Sequence, residues 1–304
     1  MIRYVQHAYI NRDKYDQCIK LDKAQLIYGL SWYLDTVCES WDALVLNDYD
    51  AVWPLPVRDK MGVRYFFRPF AVQQLGVFSK KRLNQKLLER FTGALVKNCR
   101  FADVYLNDTH PWTPKISNGQ WKSNNNYILE LDKSYEEVYD SYSNNLKRNL
   151  RKAAKNSWQL FENDGPERLI ELFKQDRGKE LKLPDSFYRN LERVMFACLH
   201  RSCGYLWTLY GEGNQVEAGI FITEFGNRLT LLFTGNTEAG RKRQAMAYLL
   251  NEYIIMQCGK SKRLDFEGSN EPGLARFYQG FGAEVYPYQN LKYNGLPFFL
   301  KWLK

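Results

Sequence analysis

The order of patterns in the last hundred residues restricts the fold of this chain more than any other feature. Gly204–Tyr210, Gln215–Phe225 and Arg228–Thr234 read as three successive antiparallel strands, joined by turns that carry Gly or Asn. A helix is expected over 243–258, where Met246, Leu249, Leu250, Tyr253 and Ile254 recur at helical spacing. Lys262–Phe266 then reads as a short strand and 272–281 as a helix, with Glu284–Tyr293 and Phe298–Leu303 as closing strands. Three strands, a helix, a strand, a helix and two strands imply a mixed sheet covered by helices, and few folds use that order.

Upstream, Trp41–Leu46 and Ala51–Val57 have strand character on either side of the turn Asn47–Asp50, and Val63–Phe67 follows. Apolar residues at 83, 87, 88, 91, 95 and 96 predict a helix over Leu83–Lys97. Phe101–Leu106 and Tyr127–Leu131 read as strands, with His110–Asn126 between them as a long loop rich in Pro, Gly, Ser and Asn. The middle is helical. Tyr139, Tyr142, Leu146, Leu150 and Ala153 mark one face of a helix over 135–156, and further helices are expected near 166–177 and 186–200, with Pro166 and Pro184 at their starts.

The composition fits this reading: 304 residues allow one large domain or two ordinary ones, and 45% hydrophobic with 25% charged residues is a globular balance. No signal-peptide core and no apolar run near ~20 residues is present. A soluble, cytoplasmic protein without stable membrane insertion is therefore expected. The six cysteines form no CxxC pair. Cys198, His200 and Cys203 lie close together but lack a fourth ligand and fall at the end of a helical pattern, so burial is the better account and no metal is expected. None of the three histidines sits in a nucleophile motif, which argues against a covalent Ser-His or Cys-His mechanism. The net charge of +9 favours anionic partners.

The segment Leu264–Tyr286, LDFEGSNEPGLARFYQGFGAEVY, carries Asn270, Ala275, Tyr278 and Gly282 in the N…A…(F)Y…G arrangement that closes acyltransferases of the GNAT type, and it resembles that block. Together with YSNNLKRNLRKAAK at 142–155 it resembles more particularly the Fem-type branch, whose members carry two GNAT-like halves in tandem. The resemblance covers about half of the chain. It implies an α+β tandem GNAT-like fold of two mixed sheets flanked by helices. The N-terminal diverged half would be 1–134, containing WDALVLNDYDAVWPLP and FRPFAVQQLGVFS. The second half would be 135–304, opening with a helical segment (135–200) and holding the active site.

It also implies a V-shaped gap between two central strands where the acyl donor lies. The donor would be acyl-CoA, as acetyl-CoA, or the aminoacyl-tRNA that Fem-type proteins use on peptidoglycan precursors. GNAT enzymes that use acetyl-CoA hold its pyrophosphate on a Q/R-x-x-G-x-G/A loop. Here the corresponding FTGNTEAGRKRQAMAY lacks that glycine spacing, as Fem-type proteins do, but it offers Gly240, Arg241, Lys242 and Arg243 as a phosphate site or as an ordinary exposed turn. The long helical arm of some Fem proteins is absent.

The resemblance and the residue chemistry together mark a candidate site. Asp265 and Glu267, two apart on a strand, would share a face and could take a proton from an acceptor amine or bind it as a cation; otherwise they are solvated strand-end charges or helix caps. Tyr278 matches the tyrosine that protonates a departing thiolate in many GNAT enzymes, or else packs on the sheet. Asn270 could bind ligand carbonyls, although capping of the next helix is the better account. The basic stretch 147–155 is a solvated face or a site for tRNA phosphates or anionic headgroups, with Arg148 and Arg151 as the best-suited pair. The expected function is transfer of an acyl or aminoacyl group onto an amine, small-molecule or peptidyl, through a ternary complex. The alternatives are a non-catalytic binding protein retaining a GNAT fold and a lipid-headgroup aminoacyltransferase.

Overall fold

Strand pairing in each half of the chain sets the positions of everything else. The computed structural model describes residues 1–60, 62–162 and 164–296. It divides into two compact units: Met1–Asn125 with the segment from Tyr286 onward, and Asn126–Val285. The boundary expected at 134/135 thus differs from the observed one, and the closing strand lies with the first unit.

The first unit contains β1 (Ile2–Val5), α1 (Arg12–Leu21), α2 (Ser31–Val37), β2 (Trp41–Leu46), β3 (Ala51–Lys60), β4 (Val63–Phe66), β5 (Phe78–Ser79), α3 (Gln85–Lys97) and β6 (Phe101–Tyr105). β1–β4 pair antiparallel in sequence order, and β4 and β6 pair in parallel through Tyr65↔Phe101 and Phe66↔Ala102. Strand β7 (Gly119–Glu130) leads from this unit into the next.

The second unit contains α4 (Tyr135–Asp140), α5 (Asn144–Ala153), β8 (Gln159–Phe161), α6 (Pro166–Gln175), α7 (Arg177–Leu181), α8 (Asp185–His200), β9 (Gly204–Tyr210), β10 (Val216–Phe225), β11 (Arg228–Asn236), α9 (Glu238–Arg243), α10 (Ala245–Gln257), β12 (Arg263–Asp265) and α11 (Pro272–Gly280). β8–β11 pair antiparallel in order, β11 and β12 pair in parallel, and β12 meets the end of β7 antiparallel. The closing strand β13 (Glu284–Asn294) pairs antiparallel with β6 of the first unit. Both units therefore repeat one scheme: antiparallel strands, a crossover helix, then a parallel strand with an antiparallel neighbour. No repeat is visible in the sequence.

Alternation builds the second core. Ala218, Ile220 and Ile222 of β10 share a cluster with Leu249, Leu250 and Ile254 of α10 and with Leu146 and Leu150 of α5. Each fully buried Leu or Ile contributes about 1.5–3 kcal/mol of transfer free energy. On the other face Gly219 and Gly235 stand opposite one another across β10 and β11. A Cβ on either would come within 2.8 and 3.0 Å of Leu169 Cδ1, so these glycines let α6 lie close on the sheet.

Two expectations change. The helix predicted over 135–156 is two helices, because Ser143 starts a new one: its hydroxyl accepts the Leu146 N–H at 3.2 Å. The second half of the expected loop 110–126 belongs to β7, whose buried positions include Asn124 and Asn126. Pairing across the sheet, not apolar composition, makes that stretch a strand. Residues 1–37 hold β1, α1 and α2, which no pattern had marked. The strand expected at 298–303 lies outside the described residues.

At the end of the parallel pair in the second unit, Arg228 and Asp265 form an ion pair with both side chains fully buried; Arg228 donates through Nε and Nη2 to Asp265 Oδ2, each at 2.7 Å. Removing one partner leaves an uncompensated buried charge, which costs about 3–5 kcal/mol, whereas replacing both with apolar residues is far milder. Urea denaturation of Arg228→Leu should show a loss of that size. The double variant Arg228→Met/Asp265→Leu should recover most of it, and equal loss in both would contradict the account.

Candidate functional site

The parallel contact between β11 and β12 is only three residues long: Arg228↔Arg263, Leu229↔Leu264 and Thr230↔Asp265. Beyond it β11 stays with β10 through Asn236, and a bulge in their register near Leu232 bends it. The chain after Asp265 goes the other way. Phe266 donates its N–H to the Tyr127 carbonyl at 2.9 Å, and Glu267 turns with φ +55°. The strands part, and a cleft of about 700 Å³ lies beside β11 beyond their last shared pair. Its walls are Leu231, Thr234, Gly235 and Asn236 of β11, Gln244 to Leu250 at the start of α10, the first two turns of α11, and the α6–α7 corner. Leu231, Met246, Ala247, Leu250, Leu274 and Phe277 give it an apolar wall, Asp176, Arg177, Glu180 and Arg241 a charged one, and Glu271 and Tyr278 stand on the α11 side.

Tyr278 is thus in the cleft, partly buried, with its ring stacked on Phe266 at 4.9 Å. Burial first, and the carboxylates of Glu267, Asp265 and Glu271 next, raise its phenol well above the ordinary tyrosine value. Asp265 and Glu267 do not share a strand face, because β12 ends at Asp265. The Asp265 carboxylate is instead committed to Arg228 and to the Glu267 N–H, which it accepts at 2.8 Å. Asn270 is exposed and is not the helix cap. Glu271 holds that position, and Ser269 Oγ accepts its N–H at 2.9 Å.

The four residues 240–243 are placed beside the cleft, and only Arg241 lines it. Arg241 makes a two-pronged ion pair with Asp176, one prong being Nη2 to Oδ1 at 2.7 Å. These hydrogen bonds hold the Asp176 carboxyl below the usual carboxylate range. Lys242 pairs with Glu238 at 2.7 Å, and Arg243 pairs with buried Glu217 and lies over the Trp158 ring. Gly240 is buried against β10. Arg148 and Arg151 are exposed on α5 and do not line the cleft. Glu271, Asp176 and Asn236 are cleft residues that the sequence did not single out. Glu271 had a signal in its place just before Pro272, at the start of a motif helix. Among the described residues no group of three or more His, Cys, Asp or Glu side chains is gathered to hold a metal, and no helix among them is long and apolar enough to cross a membrane.

Residues 140–272 match the family model of the acetyltransferase (GNAT) domain. No curated protein sequence matches the chain. Among solved structures, the fold superposes on FemX with a TM-score of 0.66 at 12% identity, covering 94% of this chain and 96% of that one. A conserved protein of unknown function from Bacteroides thetaiotaomicron gives 0.60 at 10% identity, covering 96% and 99%. The C-terminal domain of a putative lysylphosphatidylglycerol synthetase from Agrobacterium fabrum gives 0.53 at 10% identity, covering 93% and 91%. The chain has a Fem-like GNAT fold.

The two GNAT-like units differ at the place where their parallel strands part. In the first, β4 and β6 also separate after Phe66↔Ala102, but the chain's own loop fills the gap. Leu75 donates its N–H to the Tyr105 carbonyl at 3.1 Å, and Val72 and Leu75 are buried beside Trp53. The void left there is about 10 Å³, at or below the size needed for a single water. Among the described residues, the gap of the second unit keeps room for a ligand and that of the first is filled.

A Cβ at Gly240 would lie 2.4 Å from the Glu217 carbonyl oxygen and 2.5 Å from Asn236 Oδ1. Gly240→Ala should therefore lower stability by about 1–3 kcal/mol without any ligand present, read by thermal denaturation. An unchanged melting curve would mean that Gly240 is not a packing residue.

Proposed function

We propose that this protein transfers an acyl or aminoacyl group onto an amine in the cleft walled by β11, the start of α10 and α11. The observation that supports this most is the 700 Å³ gap itself, open in the second unit and lined by Tyr278 and Glu271. A slot with one apolar wall and two proton-transfer groups suits an activated acyl group meeting a neutral amine. Glu271 and Glu267 attract the acceptor as an ammonium, and Glu271, which lines the cleft, takes its proton. The amine nitrogen then bonds to the acyl carbon, the bond from that carbon to the donor's sulfur or oxygen breaks, and Tyr278 protonates the departing atom. The extra proton still on the new amide nitrogen passes back to the Tyr278 phenolate. Asp265, held by Arg228, shapes this end of the cleft and takes no proton in this scheme.

One observation favours an oxygen-ester donor such as aminoacyl-tRNA over acyl-CoA. Arg241, Lys242 and Arg243 already have carboxylate partners, so holding a pyrophosphate there would first break ion pairs. The acceptor is an amine, small or peptidyl.

Transfer to a panel of amines should be measured with labelled aminoacyl-tRNA and with acetyl-CoA as donors. The account expects product from the former, with kcat about 10²-fold lower in Glu271→Gln and in Tyr278→Phe. Product that forms at full rate in both variants would move the chemistry elsewhere. No product with either donor would favour a non-catalytic binding protein.

A further inference from the structure

Three neighbouring strands of the first unit break their pattern at the same end. Leu44 of β2, Leu55 and Val57 of β3 and Phe66 of β4 face one core. Two residues further along that face come Asp42 on β2, Asp59 on β3 and Arg64 on β4, as strand alternation requires. Charges on a core-facing row weaken a sheet unless they have a use. Here they wall a cleft of about 580 Å³ together with His7, Glu39 and Arg58, a volume in the range of small-molecule sites.

The carboxylate at the back of this cleft is fixed in place. Asp42 is 4% exposed; Tyr4 donates its hydroxyl to Oδ2, and His7 donates its backbone N–H to Oδ1 at 2.9 Å. The His7 ring is held in turn by Asp35, with Nε2 3.0 Å from Oδ1, and Asp35 also accepts from Trp41 Nε1 at 2.8 Å and from Arg12. The cations are held more loosely. Arg64 stands 3.9 Å from Asp42 Oδ2 and 3.7 Å from Asp59 Oδ1, beyond hydrogen-bond length to both. Arg58 lies over the Phe67 ring at 4.3 Å, and no carboxylate among the described residues pairs with it.

We infer that this cleft binds a small zwitterion of the amino-acid type, with its carboxylate on the guanidiniums of Arg58 and Arg64 and its ammonium on Glu39, Asp42 and Asp59. A simple anion would meet three carboxylates there and a simple cation two guanidiniums, so a ligand of one sign is disfavoured. A guanidinium grips a carboxylate in two-pronged fashion, which fixes orientation as well as charge. A rigid back wall with cations not yet closed on it is the arrangement such a ligand needs. The cleft is made by β1–β4 and the residues flanking them, all within the first unit, so the inference stands independently of the acyl-transfer reading.

Isothermal titration calorimetry of the full chain with alanine and with alanylalanine tests it, against N-acetylalanine, which lacks the ammonium, and alaninamide, which lacks the carboxylate. Saturable heat is expected with alanine or with alanylalanine, and the one that binds tighter tells a free amino acid from a peptide. Both capped forms should bind at least about tenfold more weakly, since each loses one charge-assisted contact. Arg58→Gln and Glu39→Gln change exposed side chains and should keep the wild-type melting curve, yet each should weaken the zwitterion by about tenfold. Leu274→Trp, in the cleft of the second unit, should leave that affinity unchanged. No saturable heat with either zwitterion, or equal affinity for the capped forms, would overturn the inference. So would binding that Leu274→Trp removes and Arg58→Gln does not, because the ligand would then sit in the second unit.

Discussion

The second unit is organised around the point where β11 and β12 cease to pair. Three parallel residue pairs hold the strands together, and the buried Arg228–Asp265 ion pair closes the last of them. A buried ion pair of this kind contributes more to geometry than to stability, because desolvation offsets much of its attraction. Past it the two strands diverge. One strand is bent away by a bulge, the other turns through a left-handed Glu267, and the sheet opens where its backbone groups would otherwise bond each other. Apolar side chains from α10 and α11 line the opening because those helices already bury their other faces in the core.

The first unit shows what the same topology becomes when that opening is filled. Its strands part in the same way, yet the loop carrying Val72 and Leu75 packs into the gap and leaves space smaller than a water molecule. One chain thus contains an open and a closed version of one arrangement, which supports confining the chemistry to the second unit.

Much of this was legible in the sequence, and the parts that were not share a cause. Strands β9 to β11 and helix α10 follow from apolar periods within a dozen residues, so their bounds fall within two residues of expectation. Tyr278 was legible because it belongs to a compact motif in which spacing fixes position. The charge state of 241–243 was not. Its neutralisation depends on Asp176 and Glu217, which are distant in sequence and come close only after α6 and β10 pack. The first half of β7 was hidden for a similar reason: Asn124 and Asn126 are buried polar residues whose strand state depends on their neighbours in the sheet. The placement of Asp265 and Glu267 on one face assumed a strand two residues longer than β12 is.

The central claim is that the acyl group lies in the cleft walled by β11, α10 and α11 of the second unit. Photocross-linking tests it most directly, with tRNA charged with a diazirine-bearing amino acid and with the matching acyl-CoA, followed by mass-spectrometric mapping of the modified peptides. The account requires labelling concentrated on 231–250 and 271–278. Labelling centred on the filled gap of the first unit, at 53–75, or spread evenly over the surface, would contradict it.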